Sequence, residues 1–326
     1  MSQAAARPTG TVVDRLRGSV ASGGMVWTIV LALVLLSALV SEDFRTASNL
    51  VNVARQAVVL SLVSLGQFLV VVSGGVDLSL GMIVKITAIS GAITMGGFDE
   101  RLVLGLAIAL LLGLVAGMTN GVIVTWFRVP AFIATLGSMA VLQGIALLIT
   151  TVPKGKTSPL LGAFWGWRLG PIYGVVILML LIWTVFWLLL NFTVWGRHVY
   201  AIGGDVRISR SSGVRVRAVQ VSVFVVAGVL AALGGVLTAA RAGIGDPNAG
   251  FGLEFESLAA VVIGGASLLG GRGRLIGVFG GVMLLSLIGN VFNFIGVDVW
   301  YQQLLKGTII LLGSAAYVGR RRGAAS

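Results

Sequence analysis

The sequence has no cysteine, one histidine and few charged residues. Charged residues make up 10% of the 326 positions, whereas about 25% is usual for a soluble domain. That is too little charge to cover a water-facing surface, so a soluble enzyme, a secreted disulfide scaffold and a disordered protein are excluded. Without cysteine there is no thiol nucleophile, disulfide or cysteine-bound metal. His198 alone cannot build a histidine metal site or a Ser-His-Asp triad.

Apolar residues and glycine are abundant instead. Hydrophobic residues make up 57% of the chain and the mean hydropathy is +1.03. The 47 glycines are about 14% of the chain, twice the usual share of about 7%. In a membrane, glycine lets helices pack closely and lets helices break. The composition therefore predicts an all-α, polytopic membrane protein, and Gly113, Gly117 and Gly121 predict a helix-packing ridge.

The apolar runs predict about ten membrane spans. A bilayer needs about 20 apolar residues per helix. The runs lie near residues 25–40, 53–73, 78–96, 102–126, 131–151, 172–192, 218–240, 256–270, 275–296 and 301–318. They form a single transmembrane domain over 25–318, between a leader at 1–24 and a tail at 319–326.

Arginine is distributed unevenly between the gaps. The termini and even-numbered gaps hold 14 arginines, whereas the odd gaps hold six basic residues. By the positive-inside rule both termini are expected to be cytoplasmic. This distribution also accounts for the net charge of +12 without nucleic acid as a partner, because binding nucleic acid needs a solvated basic face with interleaved aromatics.

The longest cytoplasmic gap, about 193–217, contains five arginines and a Gly203-Gly204-Asp205 turn. Residues 205–212 are expected to form a short helix, with the Asp205 carboxylate accepting its first backbone N–H groups. One interpretation is a loop that only fixes topology. The other is a docking helix for a cytoplasmic partner, held between glycine hinges.

The segment Gly74-Gly75-Val76-Asp77-Leu78-Ser79-Leu80-Gly81 interrupts the chain between the second and third spans. It is either a tight hairpin turn or a broken segment that lines a cavity. Lys85 follows inside the third span, where a lysine costs about 2.5–3.5 kcal/mol. It has either a structural role or a place on a substrate path. Asp77, eight residues earlier, lies on roughly the same helix face.

Other polar residues have two interpretations each. Gln67, Asn120 and Gln143 lie within spans and either join helices by hydrogen bonds or line the path. Asp246, Glu254 and Glu256 lie in the extracytoplasmic gap 241–257, which is either a docking rim or a solvated loop. Gly155-Lys156-Thr157 lacks the earlier glycine of a phosphate-binding loop, so this chain is not expected to hydrolyse ATP.

Several stretches resemble the membrane permease subunits of bacterial sugar ABC importers, of the ribose-permease type. They are GGVDLSLG at 74–81, NGVIVTWFRVPAFIATLG at 120–137, WGRHVYAIGGDVRISRSSGV at 195–214, GDPNAGFGLEFESLAAVVIGGASLLGGRGRLIGVFGG at 245–281 and YQQLLKG at 301–307. The resemblance runs in order from about residue 45 to the C-terminus. Lys85 departs from it, because the family generally has a small or apolar residue there.

The resemblance implies an importer assembled from several proteins in the bacterial inner membrane. Two permease subunits, usually identical, form the pathway, cytoplasmic subunits bind ATP and Mg²⁺, and an extracytoplasmic binding protein delivers the sugar. No cofactor is expected in this chain. The residues that match the family's coupling segment are Gly203, Gly204, Asp205, Arg207, Arg210, Ser212 and Gly213. Asp205 stands where the family usually has asparagine.

The candidate translocation path consists of Gln67, Asp77, Ser79, Lys85, Asn120 and Gln143, and the candidate docking rim of Asp246, Glu254 and Glu256. One alternative function is a permease of the same architecture for branched-chain amino acids or nucleosides. A second is a secondary transporter that needs no ATPase. Such a transporter usually has carboxylates in mid-span, whereas the acids here lie in gaps or at span ends.

Overall fold

The computed structural model describes residues 24–40, 43–297 and, singly, 301, 304, 307 and 308. Twelve α-helices lie in these ranges, numbered here in chain order. They are α1 Gly24–Val40, α2 Ala47–Val72, α3 Leu80–Met95, α4 Leu102–Thr125, α5 Ala131–Ile149, α6 Pro159–Gly166, α7 Gly174–Phe192, α8 Val194–Gly204, α9 Val206–Ser211, α10 Val216–Ala242, α11 Leu253–Ile263 and α12 Leu275–Phe294. A two-stranded hairpin, β1 Arg168–Leu169 and β2 Ile172–Tyr173, pairs antiparallel before α7.

Local signals account for where several helices begin and end. The Thr46 hydroxyl accepts a hydrogen bond from the Asn49 N–H and caps α2, as expected of threonine at an N-cap. Helix α3 ends at Gly96 (φ 57°) and α10 at Gly243 (φ 74°). Both glycines adopt the left-handed conformation that commonly terminates helices.

Helices α2 and α10 form the centre of the bundle. In an apolar 18-residue stretch of each helix, 83% of the α2 stretch and 72% of the α10 stretch is buried, whereas 17% of the α5 stretch is buried. Helix α10 packs against α2, α3 and α4. The predicted ridge on α4 packs directly against the α10 backbone, since a Cβ added to Gly113 would lie 2.5 Å from the Gly228 carbonyl oxygen and one added to Gly121 would lie 2.9 Å from the Val221 Cα. The predicted packing role of this ridge is confirmed.

Two similar units run in opposite directions through the core. Helix α2 is followed by an extended segment, residues 73–79, and then α3; helix α10 is followed by residues 243–252 and then α11. We call these segments the first break and the second break. Val59 and Val63 pack near Gly234, whereas the later Gly66 meets Ala227. Helices α2 and α10 are therefore antiparallel, and the two helix–break–helix units are inverted relative to each other.

The span prediction was correct for six helices and is not confirmed for the full ten. Within the described ranges, α2, α4, α5, α7, α10 and α12 are long and apolar enough to cross a membrane, and α1 and α3 are shorter apolar helices. The predicted eighth span, 256–270, is wrong as a continuous helix, because α11 ends at Ile263 and a turn at Gly265 (φ 86°) follows. The predicted span 301–318 and the tail 319–326 lie outside the described residues, as does the leader through residue 23.

The gap between α5 and α6 has structure that the sequence did not reveal. Lys154 forms an isolated antiparallel bridge with Gly245 of the second break. The Lys156 N–H donates to the Ala92 carbonyl at the end of α3 (3.0 Å), and the Lys156 carbonyl accepts from the Gly97 N–H (2.9 Å). Gly155-Lys156-Thr157 is therefore a backbone clamp between α3 and the second break.

Replacing Gly117 by leucine is expected to destabilise the bundle, because a Cβ there would collide with the Phe224 carbonyl oxygen of α10. Overpacking a helix interface costs about 1–3 kcal/mol. Reversible unfolding in SDS, followed by circular dichroism, measures the change. Gly144→Leu on α5 is the matched control, since no atom lies within 4 Å of its Cβ position. Equal stability of the two variants would contradict the interface described here.

Candidate translocation site

The first break is shaped by its own side chains. The Asp77 Oδ1 accepts hydrogen bonds from the Ser79 N–H (2.8 Å) and the Ser79 hydroxyl (2.6 Å). Both residues have no exposed surface. An aspartate that bonds the backbone two residues later stabilises a turn without help from a ladder or helix. This contact ends the extended segment and starts α3 at Leu80.

A polar chain links the first break to its neighbouring helices. The Asn120 Nδ2 of α4 donates to the Ser79 hydroxyl (2.8 Å), and the Ser138 hydroxyl of α5 donates to the Asn120 Oδ1. Asp77, Ser79 and Asn120, predicted separately to line a path, thus form one hydrogen-bonded network. Ser138 was missed, although it lies three residues after Thr135 on the same face of α5.

Thr135 fixes the backbone of the same break. Its hydroxyl accepts from the Leu78 N–H (3.1 Å) and is also within hydrogen-bonding distance of the Val76 carbonyl (3.1 Å). Irregular backbone inside a membrane must have its polar groups satisfied by protein. The first break therefore depends on α5, the least buried of the candidate spans, for part of its hydrogen bonding.

Lys85 joins α3 to α5. Its Nζ donates to the Gln143 Oε1 at 3.1 Å, and 3% of the residue is exposed. The charges that act on it are Glu254 and then Asp246, whereas Asp77 bonds to Ser79. Lys85 thus contacts Gln143 and is attracted to α11 and the second break, rather than to Asp77 on the same predicted helix face.

Glu254 is buried, which corrects its placement on an exposed rim. Only 1% of it is accessible, because α11 begins beside α3. A Cβ on Gly81 would overlap the Glu254 Oε2, so glycine at 81 makes room for the carboxylate. Within the described ranges this Oε2 has no hydrogen-bond partner. Lys85 lies one helical turn after Gly81.

The other predicted rim residues remain near the surface. Asp246 is half-buried, and its Oδ1 accepts from the Asn248 N–H at 2.8 Å. This repeats in the second break the turn that Asp77 makes in the first. Glu256 is half-buried and lines a cavity beside α11. The two breaks thus share the same aspartate-centred turn.

Gln67 lies apart from the hydrogen-bonded network. It is fully buried in α2, and neither atom of its side-chain amide has a hydrogen-bond partner in the part of the chain that the structure describes. The same is true of the Ser64 hydroxyl one turn earlier. The structure therefore does not connect Gln67 with Lys85 or Asp77.

The predicted coupling segment is attached through glycine backbone to the end of α2, to the first break and to the 264–274 turn that follows α11. A Cβ on Gly203, in the last turn of α8, would collide with the Val72 carbonyl at the end of α2. A Cβ on Gly270 would lie 2.9 Å from the Gly74 Cα and 2.6 Å from the Gly203 carbonyl oxygen. The Gly271 N–H donates to the Val72 carbonyl at 2.9 Å. We call this contact the glycine junction.

Helix α9 follows the glycine junction and is capped as predicted. The Asp205 Oδ1 accepts from the Arg207 N–H (2.7 Å) and the Ile208 N–H (3.0 Å). Hydrogen bonds from Ile208 first and Arg207 second lower the pKa of Asp205. The cap is thus ionised at neutral pH, and its contribution to stability is lost only as the pH falls through that lowered pKa.

The surface of α9 is exposed and amphipathic. Arg207 and Arg210 are exposed, and Ile208 between them is 67% exposed. Ser212 donates from its hydroxyl to the Ile208 carbonyl (3.0 Å), and Gly213 turns the chain with φ 82°. Gly204 has open space at its Cβ position. Sequence reasoning placed this short helix within one residue but missed α8 before it.

The fold and site define a multi-pass membrane permease of the inner membrane, with apolar helices around two broken segments. The family described as the permease component of branched-chain amino acid transport systems matches residues 49–313. The chain belongs to this family.

Several curated proteins are similar over most of the chain. A ribose import permease protein, RbsC, of Escherichia coli K12 is 36% identical over 87% of this chain and 89% of its own length. RbsC of Bacillus subtilis is 35% identical over 90% and 91%. An autoinducer 2 import system permease protein, LsrC, of Yersinia pseudotuberculosis is 34% identical over 92% and 85%. No solved structure matches the chain.

Asp77→Asn is expected to fold nearly as stably as the wild type, because the amide oxygen can replace Oδ1 as the acceptor for Ser79. Asp77→Ala leaves the buried Ser79 N–H and hydroxyl without this acceptor, which costs about 1–3 kcal/mol. The midpoint of thermal unfolding in detergent measures both. An alanine variant as stable as the asparagine variant would show that the Asp77 turn does not hold the first break.

Proposed function

We propose that this chain is the membrane subunit of an ATP-driven importer and forms the pathway for a sugar. The glycine junction carries the proposal, because it ties one exposed cationic helix to the end of α2, the first break and the turn after α11. The relatives named for ribose import support a sugar over the amino acid in the family's description. ATP hydrolysis is assigned to a separate cytoplasmic subunit that binds ATP and Mg²⁺.

Helix α9 is the proposed contact with that ATPase. Arg207 and Arg210 offer positive charge around the apolar Ile208, a combination suited to a groove with an acidic rim. The Asp205 cap keeps α9 helical, and Gly203 keeps its base in backbone contact with the rest of the protein. A displacement of α9 therefore moves Val72, Gly74 and the 264–274 turn together, with no flexible side chain between them.

The proposed mechanism is alternating access. A partner shifts a conformational equilibrium only by binding one state better than the other. ATP-bound ATPase acts at α9, and a sugar-loaded binding protein acts on the opposite side. The two breaks are the bistable elements, because few contacts fix their backbones. Asp77 and Thr135 hold the first break, which meets the glycine junction at Gly74, and Asp246 turns the second break.

The proposed path follows the face of α3 toward α5. Asp77, Ser79 and Asn120 fix the first break at the path, and Lys85 with Gln143 supplies polar groups that a sugar hydroxyl can exchange with. Helix α5 is little buried, which leaves a face for a second copy of the permease. Gln67 is retained as a candidate that the other residues do not contact.

The proposed orientation places both termini and α9 in the cytoplasm, in keeping with the arginine bias. The half-buried Asp246 and Glu256, with α6 and the β1–β2 hairpin, then lie toward the extracytoplasmic side. There they are available to a docked binding protein. The buried Glu254 is left out of this docking surface.

Arg210→Glu is expected to abolish ATP-driven uptake without affecting membrane insertion, because it reverses the charge of an exposed residue on α9. Uptake of labelled sugar by cells with the full importer, together with co-purification of the ATPase, measures the effect. Arg197→Glu on the neighbouring α8 is the matched control and should retain most uptake. Wild-type uptake by Arg210→Glu, or uptake in vesicles without ATP, would contradict the coupling assignment.

Lys85→Met is expected to lower uptake at least tenfold, which is about 1.4 kcal/mol in the barrier, while the ATPase still co-purifies. Methionine matches the length of lysine but cannot donate to Gln143. Lys85→Arg keeps the charge and a donor and should retain part of the activity. If Lys85→Met transported normally, Lys85 would have only a structural role.

A further inference from the structure

A cavity of about 290 Å³ lies within the subunit, among α2, α10, α11 and α12. Its polar lining comes from all four helices and consists of Gln56, Thr238, Arg241, Glu256, Ser286 and Asn293. None of these residues belongs to the proposed path along α3. The cavity is thus a second polar region of the same subunit.

The cavity lies at the end of the bundle opposite α9. Gln56 is in the first half of α2, Arg241 in the last turn of α10 and Asn293 in the last turn of α12. The other end of α2, at Val72, is at the glycine junction. In the proposed orientation the cavity therefore faces the side from which a solute would arrive.

The lining has the chemistry of a site for a neutral polyhydroxylated molecule. Arg241 offers donors, the Glu256 carboxylate offers acceptors, and amide and hydroxyl groups offer both. One cation and one anion give no net charge. Val59, Leu60 and Leu285 form an apolar wall, against which the C–H face of a sugar ring can pack. The volume is at the lower end of the roughly 300–1,000 Å³ of ligand sites, which suits a single ring.

The second break separates this cavity from the path. Gly250 and Leu253 line the cavity, and a Cβ on Gly250 would overlap the Gly81 carbonyl of α3. Glu256 faces the cavity, whereas Glu254, two residues earlier, lies against Gly81. A movement of the second break therefore changes both regions at once.

We propose that this cavity is a monosaccharide-binding site within each subunit, occupied before the solute reaches Lys85. The inference rests on the proposed function for its choice of sugar over other polyols. The ligand is recognised by Arg241 and Glu256 together with the amides of Gln56 and Asn293. The second break separates the cavity from the path along α3, and the solute passes this segment to reach Lys85.

Gly289 allows a direct test, because it lines the cavity and no atom lies within 4 Å of its Cβ position. Gly289→Leu therefore adds a bulky side chain to the cavity lining with no clash at its Cβ. Saturation-transfer NMR on the purified full chain in nanodiscs, with D-ribose, D-xylose, L-arabinose, D-glucose and D-galactose each as a probe, reports weak binding. At least one probe should bind the wild type, and Gly289→Leu should reduce its signal by about threefold or more.

Two further variants guard against misfolding. Gly144→Leu makes the same substitution in open space on α5 and should bind like the wild type. Glu256→Gln keeps the size of the side chain and should weaken binding. The proposal is overturned if no probe binds the wild type, if Gly289→Leu binds unchanged, or if glycerophosphoethanolamine binds in place of every sugar.

Uptake by the complete importer separates this inference from the proposed function. If the importer takes up one of the probes but the isolated chain binds none, the function stands and the cavity is not a sugar site. If a probe binds in the cavity but the importer takes up none of them, the site stands and the assignment as a sugar importer fails.

Discussion

Direct contact between backbones is the interaction on which this structure depends. Gly113, Gly117 and Gly121 bring α4 so close to α10 that a Cβ would meet carbonyl oxygens or Cα atoms. Helices in a bilayer gain little from hydrophobic burial against each other, so close packing supplies much of their affinity. The same kind of contact recurs at Gly203 and Gly270, where it joins α8 and the 264–274 turn to the end of α2 and the first break. The core and the glycine junction are thus held together by the same kind of contact.

The two breaks show how polar groups are accommodated inside such a bundle. Asp77 and Asp246 each turn their own backbone, and Thr135 holds the backbone around Val76 and Leu78 from a neighbouring helix. The Glu254 carboxylate lies in a space that exists because residue 81 is glycine. Glycine therefore serves here to admit a buried carboxyl group as well as to bring helices together. A buried polar atom without a hydrogen bond is costly, and within the described ranges the Glu254 Oε2 is such an atom.

Much of this could be predicted from the sequence. Long apolar runs located α2, α4, α5, α7, α10 and α12 within a few residues, because span length is set by bilayer thickness. Asp205 predicted the start of α9 because capping is a local effect. The Asp77 motif predicted either a hairpin turn or a broken segment between two helices, and the structure has an irregular segment over 73–79.

The remainder depended on contacts between distant segments. Nothing local distinguishes Glu254 from Glu256, yet one lies against Gly81 and the other lines the cavity. The apolar run over 256–270 is long enough for a span, but α11 stops at Ile263 because the chain turns at Gly265 toward the glycine junction. The clamp formed by Lys156 is made of backbone hydrogen bonds, to which its side chain gives no clue. Such features are decided by contacts between helices across the bundle, rather than by the pattern of residues along the sequence.

The inverted arrangement of the two helix–break–helix units has a consequence for the direction of transport. A molecule that enters from either face of the membrane meets a break whose turn is formed by an aspartate. A short helix follows each break. The two helix–break–helix units alone thus give little preference for one direction of transport. The two ends of the bundle differ in the elements attached to them. Helices α8 and α9, with their arginines, lie at one end, and the β1–β2 hairpin and the backbone clamp of residues 155–157 lie at the other. In the proposed importer, the direction of transport is therefore set by the partners that bind these attached elements.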